Sequence, residues 1–594
     1  MKGLIINEYQ KTLKQTSYRV LLIIFAIVLV ATPLLNFLSD KLFSYEQNAQ
    51  EIYESHLDNA EFYKGMDMEL EERYWLDQAD SAAFFVENSP EDWKAKYLLE
   101  GSVSSFFPDF GSEERSDYSY SDYHLRVCAY ELLASGEYSD AELYESSYWY
   151  YLMEYFDTDN VYFDGSSWCD LKGNPAEKPL TNAQIESNLN EAKEELARLS
   201  DLVIDCTAEN ILKQYSDYAH YLVAEAELEL AHLKATGAEE GKIFTAQRRV
   251  EVYTLASEMF DKLASETKTL DGWRFDFCTS FLYAQQIHSA YSAYPVDEKT
   301  FAENKATEFY SYDTYADYVK ELEKSRNDAE AGIRVAHYAV INNVAPEGVD
   351  SVTKENIRSE IVSVSGFATI FSIVLAGMIV ANEFSAGTVR LLLIRPKKRW
   401  KILLSKLTCT LSLYVLLVLG STVALSVIEI LINGVGDAFT PDLSYANGKV
   451  TEIPAIVETL YTAALSIIQS LPFIALAFFL SVLMKKSALA LVLSFVAYSM
   501  SATVQTVAIL LTSVLEVIKF TIFPYLSLES FRFSASDIVI QNMTYDSFDI
   551  NMLFGGLMPS LSSNDAALGI AIVLLHTAAL IALAFHSFKK QQIK

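Results

Sequence analysis

The sequence predicts an α-helical membrane protein: six transmembrane helices, with a large, mainly α-helical domain inserted after the first. Three observations carry this. Near-continuous apolar runs of about 20 residues match the thickness of a bilayer core. The long stretch between the first two runs holds no such run and is strongly acidic. Lysine and arginine, almost without acids among them, gather in the segments that flank the runs on one side.

The 594 residues carry a formal net charge of −32, unevenly placed. From Asp40 to Glu360 there are 27 basic and 65 acidic residues, a balance of −38. The remainder is therefore net positive. A field of that sign repels nucleic acid and attracts cations or cationic peptides.

Residues 1–19 set Lys2, Lys11, Lys14 and Arg19 against one acid, Glu8. Leu4, Ile5, Tyr9 and Leu13 recur at near-helical spacing, which predicts a short interfacial helix with one face in the headgroup layer. Residues 20–38, VLLIIFAIVLVATPLLNFL, form the first span. The run is too long for a signal peptide, and no clean small-residue cleavage pattern follows.

Residues 39–358 form the insert. Acidic, helix-forming stretches dominate it: Tyr45–Asp80, Asn182–Val203, Glu209–Lys234, Thr245–Ser265 and Phe301–Asn342. Ile185, Leu189, Ala192, Leu196 and Leu199 mark a helix with one buried face. Turn-like breaks fall at Asn88–Pro90, Gly111–Ser116, Asp157–Asn174, Gly237–Gly241 and Tyr294–Asp297. Ser116–Tyr123 and Tyr144–Phe163 read as irregular, Tyr-rich segments. Their aromatic rings and carboxylates either form a surface for a cationic amphipathic peptide or a sugar, or pack as an aromatic core with a solvated acidic face.

The second span is expected at residues 359–381, a cationic hairpin at 382–406 and the third span at 407–431. A short polar loop, Asn433–Glu452, precedes the fourth span at 453–484, which ends at Lys485 and Lys486. The fifth is expected at 488–517. Residues 518–565 hold no complete span, and FPYLSLESF (523–531) reads as a partly re-entrant or interfacial piece. The last span is expected at 566–588.

The hairpin's residue order is more specific than its charge. Glu383, Phe384, Gly387, Thr388, Arg390, Leu392, Leu393, Pro396 and Arg399 follow the pattern E-F-x-x-G-T-x-[KR]-x-L-L-x-x-P-x-x-R. This resembles the first cytoplasmic loop of ABC-2-type permeases, the membrane subunits of bacterial ABC exporters. The resemblance covers residues 1–38 and 359–594; the large insert departs from it. It implies the ABC-2 (type V exporter-like) fold, with an ATPase-coupling element at Glu383, Phe384, Ser385, Gly387, Thr388, Arg390, Pro396 and Arg399. It also implies two copies of a separate ABC ATPase carrying MgATP, a second permease (the same chain or a similar one), and outward transport of a peptide, antibiotic or lipid-like substrate.

Charge orients the chain. The four segments expected in the cytoplasm hold about 16 Lys and Arg against two acids, Glu8 and Glu383. Both termini are therefore expected inside the cell membrane and the acidic domain outside.

No G-x-x-x-x-G-K-[ST] occurs, nor L-S-G-G-Q, H-E-x-x-H or G-x-S-x-G. The eight histidines lack ligand spacing, so no catalytic group, metal site or cofactor is expected in this chain. Cys128, Cys169, Cys206 and Cys278 lie in the insert, where they are candidates for up to two disulfides or for four buried thiols. Glu429, Glu458 and Glu516 are expected near the outer ends of spans, snorkelling to water. Gln469, Gln505 and His576 lie within spans, as candidates for a transport path or for bonds between helices. The competing reading is a membrane-bound sensor, whose acidic ectodomain binds a cationic peptide and signals to a cytoplasmic partner.

Overall fold

The computed structural model describes residues 2–43, 48–88, 92–99, 101, 119–158, 160–306, 312, 314–346, 349, 352–385, 399–484, 486–512, 515–528 and 566–590. The chain divides into two compact bodies. One holds Met1–Phe43, Ala284–Tyr291 and Glu323–Lys594; the other holds Ser44–Tyr283 and Ser292–Leu322.

The first body is a bundle of apolar helices. A short helix, Lys2–Lys14, precedes the first apolar helix, Thr16–Phe43. The second is Val352–Ile379, the third Arg399–Asn433, the fourth Ala455–Met484 and the last Ala566–Lys590. Among the described residues, five helices are long and apolar enough to cross a membrane, which makes the chain an α-helical membrane protein.

The predicted span 488–517 is broken. Ser487–Ser499 and Ser501–Ile509 meet at 41°, so the count reaches six only if this pair is one span. Serine hydroxyls flank the break. Ser499 Oγ donates to Phe495 O at 2.9 Å and Ser501 Oγ to Tyr498 O at 2.7 Å. Such back-bonding competes with the helical ladder and bends it.

Two predicted boundaries also move. The second helix stops at Ile379, and a short helix, Ala381–Ser385, continues after a turn. Ala381 N, freed from the ladder, donates to Ser481 Oγ of the fourth helix at 3.0 Å. The third helix begins at Arg399 rather than 407, so the last basic residues of the hairpin are helical.

The bundle core is built from Ile361, Val364, Ala368, Tyr414, Val418, Leu425, Ile474, Ala477 and Phe478, each fully buried or nearly so. Small residues allow close helix approach. A Cβ at Gly377 would lie 2.8 Å from Leu491 Cδ2. At mid-bundle Thr369 Oγ1 donates to Ser470 Oγ at 2.7 Å and Tyr414 OH to Ser466 O at 3.1 Å. The loop expected at Asn433–Glu452 contains all but the last residue of an antiparallel hairpin, Asp442–Ala446 with Lys449–Ile453. Its two-residue turn is Asn447-Gly448, with φ of 53° and 76°, the conformation of a type I′ turn. That dipeptide is a strong hairpin signal that the reading of the loop as merely polar passed over.

The second body is mainly helical, as predicted. Asn182–Asp205 and Ala208–Ala235 match their predicted stretches closely. The expected Tyr45–Asp80 helix is two helices, Ala49–Lys64 and Glu69–Asn88, reversing where Asp67 takes φ 56°. Phe301–Asn342 also divides, into Glu298–Ala306 and Tyr315–Asn342, of which the residues from Glu323 on belong to the first body. A helix at Tyr120–Ser135 begins inside a segment expected to be irregular, started by a capping box of Ser119 and Asp122.

The aromatic segment is mostly core. Tyr148, Tyr155 and Phe156 are buried with Tyr130, Leu143, Phe163 and Trp168. Their hydroxyls and indole are paired inside the body: Tyr155 OH donates to Asp140 Oδ1 at 3.1 Å and Trp168 Nε1 to Asp140 Oδ2 at 2.9 Å. Of the two alternatives, packing therefore accounts for these rings.

No disulfide joins the four cysteines of this body. Cys128 lies on the helix Tyr120–Ser135, Cys169 in a two-stranded hairpin with Val161–Phe163, Cys206 at the end of Asn182–Asp205, and Cys278 within Trp273–Tyr283. The candidate bridges are thus replaced by separate sulfurs on different elements. Burial and the adjacent Asp77 carboxylate push the Cys128 thiol up, and burial does the same for Cys278.

Candidate functional site

The hairpin end of the first body gathers its charges around one lysine. Lys406 sits two turns into the third helix, on the side that faces the N-terminal helix. Its Nζ donates to Glu383 Oε1 at 2.7 Å and to Glu8 Oε2 at 3.0 Å. The side chains of Lys406, Glu8 and Glu383 are 4 %, 5 % and 15 % exposed, so water screens them little. Lys11 Nζ, half exposed, lies 3.5 Å from Glu383 Oε1 and completes two cations against two carboxylates.

Local sequence explains the arrangement. Glu8 and Thr12 are four residues apart and share one helix face. They are the buried residues of the N-terminal helix, whereas Ile6 and Leu13 are 55 % and 44 % exposed. Of the expected apolar face, Tyr9 packs on the protein, whereas Leu13 does not. Tyr9 OH bonds Ser412 Oγ, and Thr12 Oγ1 lies 3.9 Å from Cys409 Sγ. Lys406, Cys409 and Ser412 form one stripe along the third helix. Tyr18, Leu375 and Leu413 pack around that seam.

Of the sequence-predicted coupling residues, Glu383 and Phe384 lie on the short helix Ala381–Ser385, and Phe384 packs against the bundle core. Ser385 ends that helix. Arg399 opens the third helix on the exposed side. Gly387, Thr388, Arg390 and Pro396 lie outside the described residues. Glu8 and Lys406 were not predicted as site residues. The signal for them was available: Glu8 and Glu383 are the two acids in otherwise basic segments, and both bond Lys406.

The opposite end of the bundle holds a second buried ion cluster. Arg358 Nη1 donates to Asp442 Oδ1 at 3.0 Å, its Nη2 reaches Asp442 Oδ2, and Lys354 Nζ lies 3.2 Å from Asp442 Oδ1. All three side chains are at most 2 % exposed. Asp437 accepts from Thr353 N at 3.1 Å and Lys354 N at 3.0 Å, capping the second helix. The β-hairpin loop thus supplies two carboxylates to the first turns of that helix. Glu429 and Glu458, expected to snorkel, are instead 1 % and 0 % exposed.

Gln469, Gln505 and His576, the candidates for a transport path or for bonds between helices, are each hydrogen-bonded. Gln505 Nε2 donates to Pro524 O at 3.2 Å and Ser527 O at 3.1 Å, while Gln469 Oε1 accepts from Leu528 N at 2.7 Å. Both satisfy the backbone of the irregular segment 523–528, which non-helical chain among apolar helices requires. His576 Nδ1 pairs with Ile572 O of its own helix at 2.9 Å. Among the described residues, no three His, Cys, Asp or Glu side chains gather as a metal site.

Residues 332–593 are similar to a family described as "Protein of unknown function (DUF2705)". That stretch takes in the second to last apolar helices and leaves out most of the acidic body. The chain is also similar to the "Uncharacterized protein YhcI" of Bacillus subtilis (strain 168), at 34 % identity over 123 residues. The match covers 20 % of this chain and 39 % of that relative. No solved structure matches the chain.

Proposed function

We propose that this chain is the transmembrane permease subunit of an ATP-driven exporter of the ABC-2 type. The observation that supports it most is the Glu8–Lys406–Glu383 cluster. It ties the N-terminal helix, the end of the second apolar helix and the start of the third together at the base of the hairpin that resembles a coupling loop. A push on Glu383–Arg399 by a cytoplasmic partner would move these three elements as one lever, because separating them exposes paired charges.

On this reading the bent pair Ser487–Ser499 and Ser501–Thr512 is the fifth of six spans. Both termini are cytoplasmic and the acidic body is extracellular. Two copies of an ABC ATPase bind and hydrolyse MgATP, and this chain contributes no catalytic group. It pairs with a second permease and moves a peptide, antibiotic or lipid-like substrate outward.

The test is affinity purification from native membranes in mild detergent, comparing wild type with Arg399→Ala and Glu383→Gln. Co-purified ATPase and ATP hydrolysis are read out. An ATPase bound to the wild type, with hydrolysis uncoupled from substrate in the variants, is the expected result. A wild-type complex that holds no ATPase sinks the proposal.

A further inference from the structure

Two carboxylates are buried inside the first body, far along the helices from the hairpin. Glu360 of the second helix and Glu429 of the third are each 1 % exposed. Their carboxyl groups lie within hydrogen-bonding reach of one another. Each has one amide donor. Asn36 Nδ2 of the first helix donates to Glu360 Oε1 at 3.1 Å, and Asn433 Nδ2 to Glu429 Oε2 at 2.7 Å. Glu360 Oε2 is buried and receives no hydrogen bond.

Among the described residues, the two cations next to Glu360 on its helix face a different carboxylate. Lys354 and Arg358, on the same helix as Glu360, are committed to Asp442. The fourth helix contributes Glu458 at this end, beside Tyr461, which adds another acid. The first helix contributes Asn36, and the third contributes Asn433 with Glu429 itself. Two ionised carboxylates facing each other are acceptor against acceptor. They repel, and no hydrogen bond can form between them. One proton turns one of them into a donor, removes one buried charge and gives the orphaned oxygen a partner.

We propose that Glu360 and Glu429 together bind a single proton, held as a carboxylic acid–carboxylate pair that bridges the second and third helices, with Asn36 and Asn433 as flanking donors. Binding takes one proton from solvent and releases nothing; loss of the proton leaves two negative charges in contact. The packing of these helices beside the Asp442 cluster is then proton-dependent. This holds whether or not the chain is a transporter.

The experiment uses the full chain in lipid nanodiscs. Infrared difference spectra between acid and alkaline buffer are recorded in the protonated-carboxyl stretching region, for wild type, Glu360→Gln and Glu429→Gln. The wild type is expected to show a buried carboxylic-acid band that disappears on alkalinisation. Either variant is expected to lack it, because the glutamine amide supplies the donor that the proton otherwise creates. Thermal unfolding of the variants is expected to lose less on alkalinisation than that of the wild type. A band that survives in both variants overturns the proposal. So does a wild type without the band; stabilisation of that protein by sodium or calcium at fixed pH would show that the occupant is a metal cation instead. Should one variant fail to fold, the other carries the same test.

Discussion

Lys406 Nζ and Glu383 Oε1 are 2.7 Å apart across 23 residues of sequence, so the two ends of the cationic hairpin close on each other through one buried bond. Glu8 shares that lysine. Truncating it leaves two largely buried carboxylates with only the half-exposed Lys11 beside Glu383. Lys406→Ala is expected to cost about 3–5 kcal/mol, read as thermal unfolding in detergent. Replacing the charges together, as Lys406→Met with Glu8→Gln and Glu383→Gln, is expected to recover most of the loss. If the single variant melts like wild type, the seam is not an energetic tie.

Asp442 is the carboxylate that meets Arg358 and Lys354 at the other end. Asp442→Ala strands two buried cations and is expected to cost a similar amount, about 3–5 kcal/mol. The readout that separates this from general loss is local. Limited proteolysis should cut first between Gly434 and Ile453, because that hairpin loses its anchor.

Gly569 and Gly420 form a matched contrast. A Cβ at Gly569 would lie 2.5 Å from Tyr525 Cδ1, and Tyr525 is completely buried. Gly569→Ala is therefore expected to destabilise the chain by about 1–3 kcal/mol through overpacking. Gly420 has nothing within 4 Å of that position, and it lies within the third helix. Gly420→Ala is expected to be neutral or to stabilise by about 0.5–1 kcal/mol. Equal melting of the two variants would show that Tyr525 does not pack on the last helix as described.

His124 of the acidic body titrates below its ordinary range because burial disfavours its charged form; Asp77, Asp80 and Glu131 pull the other way. The folded state then binds fewer protons at His124 than the unfolded state. Stability from this group is present above the ordinary histidine value of about 6.5 and is lost as pH falls below it. Asp77 has the opposite sign: burial raises it, so its ionisation opposes folding as pH rises. His124→Gln is expected to flatten the acid limb of the melting temperature of the full chain. An unchanged acid limb in that variant would place the sensitivity elsewhere.

Cys128 and Cys278 are thiols whose thiolates are disfavoured by burial. Alkylation of the native chain at neutral pH is expected to leave both unmodified, with labelling on unfolding even without reductant. Labelling that requires reductant would mean that a disulfide is present.

The sequence by itself determined which stretches are helical and apolar. Composition and period are local properties, and a run of about 20 apolar residues has few alternatives. The amphipathic helix Asn182–Asp205 was legible for the same reason: Ile185, Ala192 and Leu199 repeat on one face and, with Val203, are its buried residues. The break between Ser499 and Ser501 was not legible, because serine bends a helix only when its hydroxyl turns inward, and packing decides that. Nor could the aromatic segment be assigned to surface or core, since Tyr148 and Trp149 differ only in which way a short turn of helix faces.

Charge pairing was decided by tertiary structure alone. Counting located Glu8, Glu383 and Lys406 on the same side of the apolar runs, but nothing local says that one lysine serves both acids. Glu429 and Glu458 read as snorkelling residues because a helix considered singly offers them only water. In the bundle, neighbouring helices cover both, and Asn433 donates to Glu429. Burial is a property of the assembled helices. It turns a carboxylate that is harmless at a surface into one whose partner, or whose proton, must be supplied.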